Sequence, residues 1–325
     1  MKTIRWLLNR QVLSALCAAP LLLGSAYTFA DEAAAPAAAP AEATPAVEAA
    51  PAAAPVEAAE PTADHLERKH TAAEGPASPW SFTLNAGMYS QYMFRGVALS
   101  NGPALQVGAD LAHSSGFYVG TWWSNIDKEF TGHGDGFSGG NHLETDWYGG
   151  YAHTFDNGFG VNFLGNYYYY PDRENSFSAG NVGNKQNSFE ASVALSYKWL
   201  TYTYYRVLTN YYGAAKDGTR DGTRDTKGAS YNELKFNYKL PIGDLNFMTK
   251  VGYQHTPNLT GSQGDFAIGL NRDFAIPSAG KPIEGFNAGA YYTNTFNVKN
   301  EAFYQTSDGR DTNEDTVWFY VKRTW

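Results

Sequence analysis

The sequence predicts an all-β chain, a transmembrane antiparallel β-barrel of about twelve strands, and three observations carry that prediction. Beyond Trp80, apolar residues alternate with polar residues or glycine at the period of two that separates the faces of a strand. Aromatic residues make up 15% of the chain and glycine 33 of its 325 residues, while only 17% are charged, and the mean hydropathy is negative. Tight turns and longer polar loops succeed one another along the chain, as in barrels of the bacterial outer membrane. No run of roughly twenty apolar residues follows the N-terminal region, so any bilayer crossing must be made by strands.

The cleanest strand runs from Ser188 to Trp199. Phe189, Ala191, Val193, Leu195, Tyr197 and Trp199 fall on one face, and Glu190, Ser192, Ala194, Ser196 and Lys198 on the other. A helix would mix these sets around its circumference, whereas a strand separates them. Phe159 to Tyr169 and Leu245 to Tyr253 behave alike. The same count places strands near 81–94, 103–113, 117–125, 143–155, 159–170, 188–199, 200–212, 229–240, 244–255, 263–274, 285–296 and 314–325.

Tight turns are expected at Ser114-Ser115-Gly116, Asp156-Asn157-Gly158, Trp199-Leu200 and Pro241-Ile242-Gly243-Asp244. Polar loops lie between them near 126–142, 171–187, 213–228, 256–262 and 297–313. Two connections depart from the pattern, a short loop at 95–102 and a long turn from Pro277 to Glu284. A tandem DGTR, Asp217 to Arg224, sits in one loop, where added length costs little.

Residues 1–30 read as a signal peptide: Lys2, Arg5 and Arg10, an apolar stretch from Val12 to Ala26, and Thr28-Phe29-Ala30 at the cleavage position. Leu16 before Cys17 argues against a lipoprotein signal, and removal of Cys17 would leave no thiol. Residues 31–79, rich in Ala, Pro and Glu, are expected to be a disordered periplasmic linker, because such a composition buries too little apolar surface to offset its ordering entropy. Asp64 to His70 offers a helical turn, with a cell-wall contact or a lumen plug as sharper readings. The barrel is then residues 80–325. A net charge of −8 without a basic cluster excludes nucleic acid as a natural partner.

A soluble sandwich would turn its apolar face inward. Here the polar face carries too many ionisable groups for a dry core. The lumen-lining candidates are Arg95, Asp110, Glu144, Asp146, Glu190, Lys198, Glu233, Lys235, Lys250 and Lys322, with Lys239 nearby. Trp122-Trp123, Tyr167 to Tyr170, Tyr211-Tyr212 and Tyr291-Tyr292 suggest interfacial girdles. Phe319, Val321 and Trp325 close the last strand on one face, the form of a C-terminal assembly signal for the barrel-assembly machinery, with Arg323 able to snorkel.

The stretches SQYMFRGVALS (Ser90 to Ser100), Pro103 to Asn125, LETDWYGGY (Leu143 to Tyr151), YYYYP ending at Pro171 and GASYNELKFNYKLP (Gly228 to Pro241) resemble the TorF family of proteobacterial porin-like proteins. The resemblance spans roughly Trp80 to Trp325. It implies an outer-membrane barrel that forms a pore.

Catalytic chemistry finds little support. A barrel phospholipase would use a histidine and a serine on the lipid-facing wall, and the nearest pair, His113-Ser114, abuts a turn. His133, Asp135, His142 and Glu144 lack a fixed ligand spacing. Glu144 and Asp146 share a strand face, more usual for lumen charge than for paired catalytic carboxylates. No cofactor motif is present. The expectation is a channel for passive diffusion of small polar solutes in the outer membrane of a Gram-negative bacterium. The partners are outer-membrane lipid, the assembly machinery and the solutes, with an interface for a homo-oligomer near 285–290. A non-conducting structural or envelope-tethering barrel is the alternative, and a barrel enzyme the third reading. Arg95 facing Glu144 or Asp146 would give a transverse field.

Overall fold

A computed structural model describes residues 78–127, 142–171, 186–213, 226–257, 262–299, 304–306 and 309–325. The expected signal peptide, the linker as far as residue 77, the DGTR repeat, His133 and Asp135 lie outside the described residues. Among the described residues no helix is long and apolar enough to cross a membrane.

Twelve strands close into one antiparallel barrel. They are β1 (Trp80–Tyr89), β4 (Ala104–His113), β5 (Phe117–Asn125), β6 (Leu143–Thr154), β7 (Phe159–Tyr169), β8 (Ser188–Tyr197), β9 (Leu200–Val207), β10 (Ser230–Lys239), β11 (Leu245–His255), β12 (Gln263–Ile276), β13 (Ile283–Phe296) and β14 (Thr316–Thr324). Each pairs with its neighbour in this order, and β1 pairs with β14 from Asn85↔Thr324 to Tyr89↔Tyr320 to complete the ring. Backbone bonds between Leu84 and Trp325 extend that seam. Closure leaves no bare strand edge, the condition for a sheet to exist in lipid.

The alternation read from the sequence is the alternation of the wall. In β8, Ser188, Glu190, Ser192 and Ala194 are buried inside the ring while Val193, Leu195 and Tyr197 are exposed outside it. Phe82, Leu84 and Met88 of β1, Val119 of β5, Phe163 of β7, Val251 of β11 and Val317 and Phe319 of β14 are likewise exposed. In water so continuous an apolar surface would be a liability; in a bilayer it is the required outer face.

The strand count and nearly all the expected boundaries hold. The larger departures lie at the long-loop end of the barrel. The first wall strand stops at Tyr89 rather than 94, and the chain turns inward as a small hairpin, β2 (Met93–Phe94) and β3 (Val97–Ala98). The connection from β1 to β4 therefore spans 90–103 rather than 95–102. β9 stops at Val207 and a short 3-10 turn, Tyr211–Gly213, follows. At the opposite end β12 and β13 extend past their expected limits through a bulge between Phe274 and Ile276, which shortens their connection to 277–282.

Side-chain direction corrects the girdle expectation. Neighbours in a strand point opposite ways, so Trp122, Tyr168, Tyr170 and Tyr291 are buried within, while Trp123, Tyr167 and Tyr169 are exposed. An outward aromatic band does form at the short-turn end, where Phe117 meets Tyr151 (5.0 Å), Trp199 meets Tyr238 (5.6 Å) and Phe274 meets Phe286 (5.5 Å). Arg323 lies over Trp325 at 4.8 Å and Phe286 at 5.2 Å, its guanidinium covered by rings.

Candidate lumen site

The hairpin fixes the site. Its strands are joined by Arg95-Gly96, both with positive φ (47° and 81°), the two-residue turn whose twist matches paired strands. Gly96 lies against β12 and β13: a Cβ there would come within 2.6 Å of Thr295 Cγ2 and 2.7 Å of Asp265 Cβ. Tyr92 N–H donates to Ser100 Oγ (2.8 Å) and Leu99 N–H to Tyr92 O (2.8 Å), closing the hairpin base. Ala98 N–H donates to Thr312 O (2.6 Å), and Gln263 Nε2 to Arg95 O (3.0 Å). Tyr92, fully buried, donates its hydroxyl to Glu144 Oε1 (2.8 Å) and meets Trp122 edge-on at 5.2 Å.

At the tip the Arg95 side chain crosses to β8. Its Nη2 donates to Glu190 Oε1 (2.8 Å) and Nη1 to Glu190 Oε2 (3.0 Å), a forked ion pair in which both side chains are 3% exposed. Nη1 also donates to Gln254 Oε1 (3.2 Å). The guanidinium carbon lies 4.7 Å from the Phe94 ring, 4.7 Å from Tyr205 and 4.3 Å from Tyr231. Tyr168 donates its hydroxyl to Glu190 Oε1 (3.2 Å), and Tyr231 donates to Asp265 Oδ1 (3.1 Å). The ring of Tyr212, from the loop after β9, packs at 6.2 Å on Phe94 and 5.3 Å on Tyr168.

The pairing expected for Arg95 is thus corrected. It joins Glu190, not Glu144 or Asp146, because the inward hairpin carries it off the β1 wall. Glu144 instead accepts from Tyr92, and Asp146 accepts from Asn166 Nδ2 (2.9 Å). Further toward the short turns the wall carries more polar pairs. Tyr148 donates to Asp110 Oδ1 (2.6 Å) and Lys250 Nζ to Glu233 Oε2 (3.2 Å), while Lys235 is buried beside them on the inner face. Tyr320 donates to Asn287 (2.6 Å), whose amide donates to Asp273 (2.7 Å). Lys322 is half-buried on the same face with its ammonium 6.0 Å from the Tyr320 ring.

Lys198 is a second correction. It lies in the β8–β9 turn with φ 54°, exposed, its ammonium 5.2 Å from the Tyr197 ring, because the strand ends one residue before it. His113 bonds Ser115 Oγ through Nδ1 (2.7 Å) and accepts from Ser115 N–H there (3.2 Å), so it shapes a turn rather than pairing with Ser114. Among the described residues no group of three or more histidine, cysteine or acidic side chains is placed to hold a metal.

Near the short turns the inner face is open: Ser81, Thr83, Asn85, Asn237, Asn246 and Lys322 are partly exposed, and Asp273 is exposed. At the hairpin layer it is closed, with Asp146 and Asp265 at 0% exposure. Reasoning from the sequence missed both this inward segment and Asp265. Asp265 was accessible to the same alternation, since it shares the inner face with Gln263 and Ala267.

A ring of twelve strands, apolar without and polar within, defines a barrel of the membrane-spanning type. The chain belongs to a family described as "Bacterial protein of unknown function (Gcw_chp)", whose model matches residues 73–325. The TorF resemblance rests on its motifs alone. No curated protein matches the chain. Among solved structures it is similar to a KdgM porin at 8% identity and a TM-score of 0.41, over 75% of this chain and 98% of that one. It is similar also to Acinetobacter baumannii OccAB4 at 12% identity and 0.35, over 72% and 56%, and to Pseudomonas aeruginosa OprD at 13% and 0.32, over 75% and 66%.

Proposed function

We propose that this protein is a porin-like channel of the Gram-negative outer membrane, through which small polar solutes diffuse passively. The carrying observation is the opposed polarity of one closed wall. Outward residues such as Phe163, Val193 and Phe319 suit lipid, while inward ones such as Asn85, Asp110, Asn162 and Glu190 suit water. By the usual arrangement of such barrels the short turns, the start of β1 and the end of β14 face the periplasm and the hairpin end faces outward. In this reading the strand ending in Phe319, Val321 and Trp325 is what the assembly machinery engages, and Ala288 and Ala290, on the outer face, mark a site for self-association.

The lumen narrows at the hairpin, where Arg95, Tyr92 and Tyr212 meet residues of the wall. Barrels of about eight strands are filled by their own side chains and those of 16–18 hold open water. Twelve strands leave room that one inserted segment occupies. Purified full-length protein added to a planar bilayer should give stepwise conductance, and protein that inserts without any step would refute the channel. Replacing Glu144 with Gln should change the cation-to-anion permeability ratio.

The closed hairpin layer is also the observation that favours a second reading, a non-conducting structural barrel. The same recording separates the two. We assign no enzymatic role, since His113 serves the β4–β5 turn.

A further inference from the structure

Resting on the channel reading, we propose that the pocket around Arg95 is a binding site for small solutes with a guanidinium or primary ammonium head, and that Arg95 is its tethered occupant. A planar cation is recognised by a carboxylate at fork spacing, by aromatic faces beside it, and by a neutral acceptor for the remaining N–H. The site has all three. Glu190 supplies the fork at 2.8 and 3.0 Å, Tyr231 and Tyr205 supply faces at 4.3 and 4.7 Å, and Gln254 accepts at 3.2 Å. These residues belong to the wall strands β8, β10, β9 and β11, and so does Tyr168 of β7, which orients Glu190. Of the three rings described over the guanidinium, that of Phe94 arrives with the hairpin. Withdrawal of the hairpin would leave the recognition elements in place.

Two further observations point the same way. Glu144, Asp146 and Asp265 border the layer that Glu190 occupies, and such a concentration of carboxylates at a constriction draws cations toward it. The tip itself is an uncommon choice of residue. Two-residue turns with positive φ at both positions favour asparagine, aspartate or glycine, yet the first position, at φ 47°, is arginine. The chain accepts a strained backbone there, and what it gains is a guanidinium in this pocket.

The test uses full-length protein in detergent with Arg95→Gly, a residue suited to the left-handed tip, and with Arg95→Asn as a second variant. Folding is checked by the mobility difference between heated and unheated samples. Titration calorimetry with L-arginine should show binding to either variant. L-citrulline, its neutral isostere, should not bind, and the wild type should bind arginine about ten-fold or more weakly because its own side chain competes. Adding Glu190→Gln to Arg95→Gly should weaken arginine binding by about ten-fold or more. Folded variants that bind no arginine, or bind citrulline equally, would overturn the site. In bilayers arginine should block the Arg95→Gly current. If no variant conducts, the channel reading fails, and the calorimetry still decides the site.

Discussion

Glu190 accepts from two donors at once, the charged fork of Arg95 and the neutral hydroxyl of Tyr168. Deleting one partner of a buried pair leaves the other's charge without compensation, a loss of about 3–5 kcal/mol. Glu190→Gln alone should therefore lower stability by that order in urea titrations of reconstituted protein. The same change in the Arg95→Gly background should cost far less, and a double-mutant cycle reads the difference as coupling. Lys198 offers the contrast. Exposed in a turn, it should tolerate Lys198→Ala within about 0.5 kcal/mol, and the permeability ratio should not move; a shifted ratio would return this lysine to the pore.

At the scale of the element, the hairpin stands or falls with Gly96. Valine there would need a Cβ closer to Asp265 and Thr295 than packing allows, and would force a β-branched residue into φ 81°. Gly96→Val should dislodge the hairpin while sparing the wall, so conductance should rise with the heat-modifiable mobility retained. Unaltered conductance would show that the hairpin does not limit flow. Why the sequence revealed the wall but not this segment is a matter of length. Strands of eight or more residues repeat the period of two often enough to declare their faces, so Asp110, Glu144, Asp146, Glu190, Glu233, Lys235, Lys250 and Lys322 were legible as inward residues. Met93-Phe94 and Val97-Ala98 are two residues each and read as a continuation of β1. Arg95 was recognised as a lumen residue, but its partner depends on the hairpin's path across the ring, which no local pattern encodes. Lys198 falls outside the inner face because β8 ends at Tyr197, two residues short of the expected Trp199.

Taken whole, the molecule is a ring with two environments, and a lipid-borne probe tells them apart. Vesicles containing brominated acyl chains should quench tryptophan emission through Trp147, which faces outward, and not through Trp122, which faces inward. Trp147→Phe should thus remove part of the quenched signal and Trp122→Phe none. Quenching lost equally in both variants would contradict the assignment of faces. An outward charge at mid-strand is the energetic counterpart. Val193 pairs with Phe163 near the middle of β7 and β8, and Val193→Arg should cost about 2–4 kcal/mol of stability in vesicles, the penalty of an arginine near the bilayer midplane.

The seam between β1 and β14 joins Asn85 to Thr324, segments that emerge far apart in time during synthesis. Until the later one is made, the growing sheet has two raw borders, each a template for pairing with any other extended chain. Long-range pairings of this kind also form slowly. The polypeptide must therefore travel unsealed, and its need for escort is set by the distance along the chain between the two halves of a single zipper rather than by how greasy it is.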